Sequence, residues 1–518
     1  MRGVALLDYR PGDRGGEVAM NPGRALPVAL DGFTGRADRL RNPRTAAVIG
    51  GGLAGIAATV VLAERGMRVT LFEREPYLGG RLGAWRDRLA DGTPFEMERG
   101  FHAFFRQYYN LRALLMRVDP GLSFLNAAPD YPILTGDGGC ETFAGLPAMP
   151  PFNVMWLTLR TKTLRFADLM RVNKRAALEM LRFDRHRTFA RFDRDSSRDY
   201  LDSLHFPAIA RQRLLHVFAH SCFNPQEDMS AAELLQMFHF YFTGNRDGLI
   251  FDIADRPFSR CIFQPLAQYL RGLGADILLG KSVQSLERCA DGWSVAGDAG
   301  KLNVDAVVLA ADVPAVKSIV SLSTGLDDPA WQAGINSLRV TNPFAVWRLW
   351  LDRPTQAGRA PFAGTAGAGR LDNISLYHLF EDESRDWAAR TGGAVVELHA
   401  YALPEQVDER ELKRDLRNGL DTIYPECRGA HILEERFLLR GDCPSFYPGS
   451  SPSRPTVATP WLGLALAGDF VKLEIPSALM ERAAASGFLA ASTILNGYDV
   501  RPEPLWSVAR RGILAPRA

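Results

Sequence analysis

Three glycines at positions 50, 52 and 55, followed by a glutamate at position 73, are the residues of this sequence whose types and spacing point most directly to chemistry. In the G-x-G-x-x-G spacing, Gly50 permits a tight turn, Gly52 lets bare backbone approach a pyrophosphate, and Gly55 lets a helix press against a sheet. An acid about 20 residues further on, at the end of the next strand, can accept hydrogen bonds from a ribose. Shortly after Glu73 come Gly79, Gly80 and Arg81, a second glycine turn that can bring backbone and a guanidinium to the same pyrophosphate. Gly468-Asp469 forms a third such turn near the C-terminus. Each of these alone is commonly an ordinary turn or helix cap. Together they describe a dinucleotide site.

The elements needed to hold these residues can be read around them. Ala46 to Ile49 form a short apolar run suited to a buried parallel strand, and Leu53, Ile56, Ala57, Val60, Val61 and Ala63 give the following helix an apolar face. Gly66 ends that helix, and Arg68 to Phe72 return as a second strand. The same character reappears at 276–311, where a hairpin turning at Asp291-Gly292 precedes a buried Val-Val-Leu strand. It appears again at WLGLALAGDF, which runs through a turn into a helix beginning near Pro476.

The predicted fold class is therefore α/β, a discontinuous Rossmann-type nucleotide-binding domain with an inserted α+β substrate domain. Segments 45–125, 275–315 and 455–497 build the nucleotide domain. Segment 126–274 is expected as a helical insert, with helices near 166–183, 196–204, 207–220 and 230–243. Segment 316–454 carries the strand-like runs FAVWRLWLD, NISLYHLF, AVVELHAYAL and ILEERFLLR, which predict a second sheet. Residues 1–44 lack periodicity and are expected as a flexible leader, and 498–518 as a tail.

Composition excludes several functions. With 47% hydrophobic and 23% charged residues, and 61 Lys and Arg against 59 Asp and Glu, the chain is ordinary globular protein without the basic footprint of nucleic-acid binding. Six scattered cysteines form no C-x-x-C, so no metal site, iron–sulfur pattern or disulfide framework is expected. The first residues hold only a four-residue apolar run before charges return, shorter than a secretory signal requires. No apolar run is long enough to span a membrane; the nearest is broken by Glu481 and Arg482. Between Arg160 and Arg198, however, Lys and Arg outnumber the acids among scattered large apolar residues. Such a stretch is either a solvated face or a surface for anionic lipid. The expected location is cytoplasmic, peripheral at the inner face of a membrane.

The densest aromatic stretch follows the second glycine turn. Phe101, Phe104, Phe105, Tyr108 and Tyr109 interleave with Arg99, His102, Arg106 and Arg112. Either these rings fill a core, or they form the wall of an apolar pocket with a few placed polar groups.

The glycine turns, Glu73, the strand around Val283, Ala467-Gly468-Asp469, Pro476 and Ser486-Gly487 together resemble the two-domain flavoproteins of the amine oxidase and carotenoid desaturase superfamily. That resemblance spans most of residues 45–497 and implies FAD. It implies Gly50, Gly52, Gly55, Gly80 and Gly468 around the cofactor, Glu73 on the adenosine ribose and Arg81 near the pyrophosphate. Val283 is implied at the adenine and Asp469 near the pyrophosphate and ribityl chain. ERGFHAFFRQYYNLRALL, DYPI, MSAAELLQMFHFYF and DGLIFD further resemble the bacterial isorenieratene synthases, carotene desaturase/methyltransferases that convert a β-ionone ring to an aromatic φ ring.

That activity needs two successive two-electron oxidations per ring and migration of one methyl off the quaternary carbon. The resemblance implies an apolar carotenoid or isoprenoid substrate, with Phe101, Phe104, Tyr108 and Tyr109 along the site and His102 as the proton acceptor. His239, Tyr241 and Glu474 are weaker candidates, each more often structural. A quinone, oxygen or a ferredoxin could take the electrons. Two rival readings share the cofactor motifs: a desaturase or dehydroxylase of a linear polyisoprenoid, and a lipid carrier of the same fold without flavin.

Overall fold

In the computed structural model, residues 25–516 are described, apart from 129, 162, 164–165, 212–222 and 248. Five parallel strands make the nucleotide sheet, in the order Asp276–Leu279, Arg68–Glu73, Thr45–Ile49, Ala306–Leu309, Leu464–Leu466. Its central strands are Val-, Ala- and Leu-rich because both faces are covered, so neither face needs polar side chains.

The helix Leu53–Glu64 is buried along almost its whole length, from Leu53 to Ala63. It lies against the sheet on one side and the long helix Leu479–Asn496 on the other. Small residues make that second contact possible. A Cβ on Gly487 would stand 2.2 Å from the Ala54 carbonyl oxygen and 2.8 Å from Ala57 Cβ. At the other end, a Cβ on Gly55 would stand 1.8 Å from the Gly50 carbonyl oxygen, so only glycine lets this helix start directly beneath the turn.

The substrate sheet has seven strands, in the order Ile432–Arg440, Phe344–Leu351, Ala394–Ala400, Asn373–Leu376, Phe362–Ala366, Ile133–Thr135, Cys140–Glu141. All its pairings are antiparallel except Phe362–Ala366 with Ile133–Thr135. The four strand-like runs read between 316 and 454 are all in it. A separate three-stranded antiparallel sheet, Val283–Cys289, Gly292–Gly297 and Gly300–Val304, contains the expected hairpin.

The insert is less purely helical than expected. Two of its short segments extend the substrate sheet, and Phe251–Ala254 pairs with both Phe104–Phe105 and Leu125–Ala127. The helix expected over 166–183 is divided into Phe166–Arg171 and Lys174–Leu181, because the Asn173 side chain accepts from Ala176 N and caps the second. Helices Phe152–Arg160 and Arg185–Phe192 were not evident from periodicity. Most of the helix expected over 207–220 lies outside the described residues.

The expected leader also needs correction over its described part. Leu26–Pro27 pairs antiparallel with Trp506–Ser507, and Arg36 and Ala37 N–H groups donate to the Asp499 carbonyl, each at 3.0 Å. The partner lies in the C-terminal tail, so a local pattern carried no sign of it. Residues 1–24 lie outside the described residues.

Candidate active site

The first glycine turn delivers the helix Leu53–Glu64 with its N-terminus open. Gly52 occupies the cap position without a side-chain hydrogen bond, and the first turn holds no acid. Its leading N–H groups and positive dipole end are therefore left for an anion. A Cβ on Gly52 would meet nothing closer than Gly80 Cα at 4.0 Å, so it would fill the cradle itself. The second turn is docked on the first by a hydrogen bond from Gly79 N to the Gly51 carbonyl, at 2.8 Å.

Glu73 ends the second strand with its carboxylate fixed. Gly51 N donates to Oε2 at 2.7 Å and Glu75 N to Oε1 at 2.8 Å. Each oxygen keeps a further lone pair for a ligand hydroxyl. Burial raises the Glu73 carboxyl from its ordinary value, opposed by those two backbone donors. Arg81 reaches Asp469 at 2.6 Å, and Gly468 N is held by Ser486 Oγ at 2.9 Å. The three turns thus converge on one place. An open helix terminus, a fixed ribose-accepting acid and a guanidinium–carboxylate pair fit the pyrophosphate and ribose of FAD.

This cradle opens into a cavity of about 780 Å³. Gly50, Gly52, Glu73, Gly80, Arg81, Val283, Gly468 and Asp469 line it, whereas Gly55 serves the helix packing just described. Beyond the cradle the walls are aromatic. Phe101 stacks on Phe362 with centroids 4.5 Å apart, Tyr131 lies 5.0 Å from Phe251, and Phe105 lies 4.8 Å from Tyr241. Tyr131 and Phe251 lie in the DYPI and DGLIFD segments, but neither they nor Phe362 are marked individually as site residues by the sequence, because the segments that bring them together are far apart in the chain.

His102 lines this chamber, edge-on to Phe258. Its Nδ1 lies 2.7 Å from the Gly100 carbonyl oxygen, which can only accept, so the proton sits on Nδ1 and Nε2 carries the lone pair. Burial pushes the ring down to about 4, keeping it neutral near pH 7. Phe101 and Tyr108 also reach the chamber, and the Tyr108 hydroxyl meets that of Tyr241 at 2.7 Å.

Other expected site residues are placed elsewhere. Phe104 and Tyr109 lie outside the cavity wall: Phe104 packs edge-on against Phe258, and the Tyr109 hydroxyl donates to Asp247 at 2.7 Å. An alternating strand pair and a helix start turn these two rings into the core. His239 is fully buried, stacked on Phe183, with Nε2 2.6 Å from the Ala509 carbonyl and Nδ1 3.0 Å from the Thr243 hydroxyl. Glu474 is exposed and lies 3.5 Å from Arg185. These contacts are structural.

Sequence reasoning missed a polar group on the strand Ala394–Ala400 and the residue after it. Glu397, His399 and Tyr401 share one face by strand alternation, while Val396, Leu398 and Ala400 pack into the apolar core on the other. His399 and Tyr401 line the cavity. Behind them, Glu397 lies 2.8 Å from Arg348, its register partner on the neighbouring strand. Burial alone would raise Glu397, but Arg348 and His399 outweigh it and hold the carboxyl down at about 2. The nearby Glu98 goes the other way, and burial pushes it up to about 8. The signal available in the sequence was E-L-H-A-Y, polar residues at every second position of a strand-like run.

Among the described residues there is no cluster of His, Cys, Asp and Glu able to hold a metal, and no helix long and apolar enough to cross a membrane.

Residues 53–495 match the family described as flavin containing amine oxidoreductase. The chain is 45% identical over 487 residues to a carotenoid phi-ring synthase of Streptomyces griseus, covering 94% of this chain and 93% of that one. It is 30% identical over 612 residues to a carotenoid phi-ring synthase of Chlorobaculum tepidum, covering 92% of each. In fold it is similar to a putrescine oxidase of known structure, with a TM-score of 0.65 and 16% identity, covering 88% of this chain and 99% of that one.

Proposed function

Since the chain belongs to the flavin-containing amine oxidoreductases, in the branch of the carotenoid phi-ring synthases, we propose that it oxidises a β-ionone ring of a carotene to an aromatic φ ring with a 1,2-methyl shift. The observation that carries this reading is the single chamber in which a dinucleotide cradle continues into an aromatic enclosure. The protein is an FAD-dependent oxidoreductase, and the bound flavin supplies a two-electron acceptor for hydride removal from an allylic ring carbon.

The chain's own residues supply the rest. The open helix terminus at Leu53, Glu73, and the Arg81–Asp469 pair hold the cofactor. Phe101, Phe105, Tyr131, Phe251 and Phe362 enclose the ring and exclude water. Their faces favour a cationic ring by about 0.5–2 kcal/mol each, enough to tolerate the charge while a methyl migrates. Nε2 of His102 takes a proton from the ring once the neighbouring carbon has become cationic.

The same reading puts the protein on the cytoplasmic face of a membrane, where a carotene is dissolved and a quinone could accept the electrons. Support comes from helix Phe152–Arg160. Val154, Leu157 and Thr158 line the chamber, while Phe152, Met155, Trp156 and Leu159 are 51–71% exposed at helical spacing. Exposed Arg171, Lys174, Arg175 and Arg182 follow along the chain. An apolar helical face with nearby cations suits an anionic lipid surface.

The deciding experiment incubates the flavoprotein with cyclic and linear carotenes side by side in liposomes. Loss of four hydrogens per ring with all carbons kept supports the reading; consumption of linear substrates alone overturns it.

A further inference from the structure

Aromatising one ring removes two hydrides and two protons, so the chamber must receive two protons from different ring carbons. His102 Nε2 can hold one. A second set of groups able to take a proton is the strand face that carries Glu397, His399 and Tyr401, of which His399 and Tyr401 line the chamber.

Hydrogen-bond roles along this face follow from chemistry. Asn373 Nδ2 donates to the Tyr401 hydroxyl oxygen at 2.9 Å, so the Tyr401 proton points elsewhere. His399 Nδ1 lies 2.6 Å from that oxygen and is its acceptor. The opposite ring nitrogen, Nε2, lies 2.8 Å from Glu397 Oε1 and donates to it. Glu397 is fixed in turn by Phe101 N, which donates to Oε1 at 2.9 Å, and by Arg348 on Oε2. A carboxylate held ionised at about 2 is a suitable counter-charge for an imidazolium.

The two histidines meet at one glycine. His102 Nδ1 bonds the Gly100 carbonyl, and a Cβ on Gly100 would stand 2.9 Å from His399 Cε1. Gly100 therefore leaves the room in which both rings border the same chamber.

We infer that Tyr401 and His399 form the second proton exit of the reaction, with Glu397 as the positioning residue behind them; this rests on the ring-aromatising reading above. After hydride removal, a C–H bond of the cationic ring breaks and its electron pair becomes the new ring double bond. The proton goes to the Tyr401 oxygen while the phenol proton passes to His399 Nδ1. Tyr401 ends unchanged, and His399 is an imidazolium paired with Glu397 until the chamber empties and it returns the proton to water.

The test uses Tyr401→Phe, with His399→Gln as a second variant, in the flavin-loaded enzyme. Both should keep the flavin spectrum and should accumulate rings that have lost two hydrogens, with formation of the four-hydrogen product at least tenfold slower. A readout independent of turnover is ¹⁵N NMR of histidine-labelled enzyme, with the His399 signals identified by their loss in His399→Gln. The expected tautomer carries hydrogen on Nε2, and only the Nδ1 signal should move in Tyr401→Phe. A protonated Nδ1, or full aromatisation by Tyr401→Phe at the wild-type rate, overturns the relay alone. Wild-type enzyme that leaves cyclic carotenes untouched overturns the functional reading beneath it, and the tautomer still decides whether the hydrogen-bond chain is as drawn.

Discussion

Arg81 and Asp469 meet at 2.6 Å although 388 positions separate them in the chain. Each comes from a glycine turn of its own, and the cofactor cradle exists only where the two turns touch. Asp469→Ala takes from Arg81 its carboxylate partner at 2.6 Å and removes a carboxylate from the cradle, so FAD should bind about tenfold or more weakly, about 1.4 kcal/mol. Arg81→Lys should fall on the same side, because an ammonium does not reproduce a planar fork. Flavin absorbance of the purified variants and titration of stripped protein with FAD measure the loss.

His102 is proposed to take a proton through Nε2, and burial pushes its ring down to about 4. The neutral, competent form then persists down to that value, so kcat/KM should show no acid limb from this group until pH approaches about 4. His102→Gln should lower kcat by about 10²–10⁴-fold with substrate binding retained. A pH–rate profile with an inflection near the ordinary histidine value of about 6.5, absent in His102→Gln, would contradict the neutral assignment.

Glu98 gives a stability prediction with a definite sign. Its folded-state value lies at about 8, raised by burial from 4.5. The folded protein therefore binds more protons than the unfolded chain between those values. The contribution to stability is fully present below about 4.5 and is lost as pH rises through about 8, with a slope of at most about 1.4 kcal/mol per pH unit. Glu98→Gln should flatten that part of the profile in denaturant unfolding measured at several pH values. A wild-type profile no steeper than the variant's would refute the raised value.

The exposed face of helix Phe152–Arg160 predicts lipid dependence. Trp156→Glu combined with Leu159→Glu should reduce flotation with anionic liposomes at low salt and leave the flavin spectrum intact, since neither side chain lines the chamber. Flotation equal to wild type would remove this helix from the membrane contact.

The nucleotide half of the molecule was legible because its signals are local. Gly50, Gly52, Gly55 and Glu73 lie within one strand–helix–strand unit, where spacing alone fixes geometry. The chamber was less so. Tyr131, Phe251 and Phe362 are neighbours only because Phe362–Ala366 pairs with Ile133–Thr135 and Phe251 is held on a separate short sheet. Glu397 on a fully buried strand makes sense only beside Arg348, which arrives by antiparallel pairing. His239, a weaker candidate in the sequence, sits in a π-helical turn stacked on Phe183, a placement that carries no periodic mark.

The nucleotide sheet has an implication for how the protein is made. Its strands Thr45–Ile49 and Arg68–Glu73 leave the ribosome early, but the edge strand Leu464–Leu466 follows close to four hundred residues later. At ordinary elongation rates of about 5–20 residues/s that is a wait of roughly 20–80 s. The nascent chain meanwhile carries Ala, Val and Leu surfaces that await the helix containing Gly487. The sheet, and with it the contact between Arg81 and Asp469, is complete only once that late segment has been made.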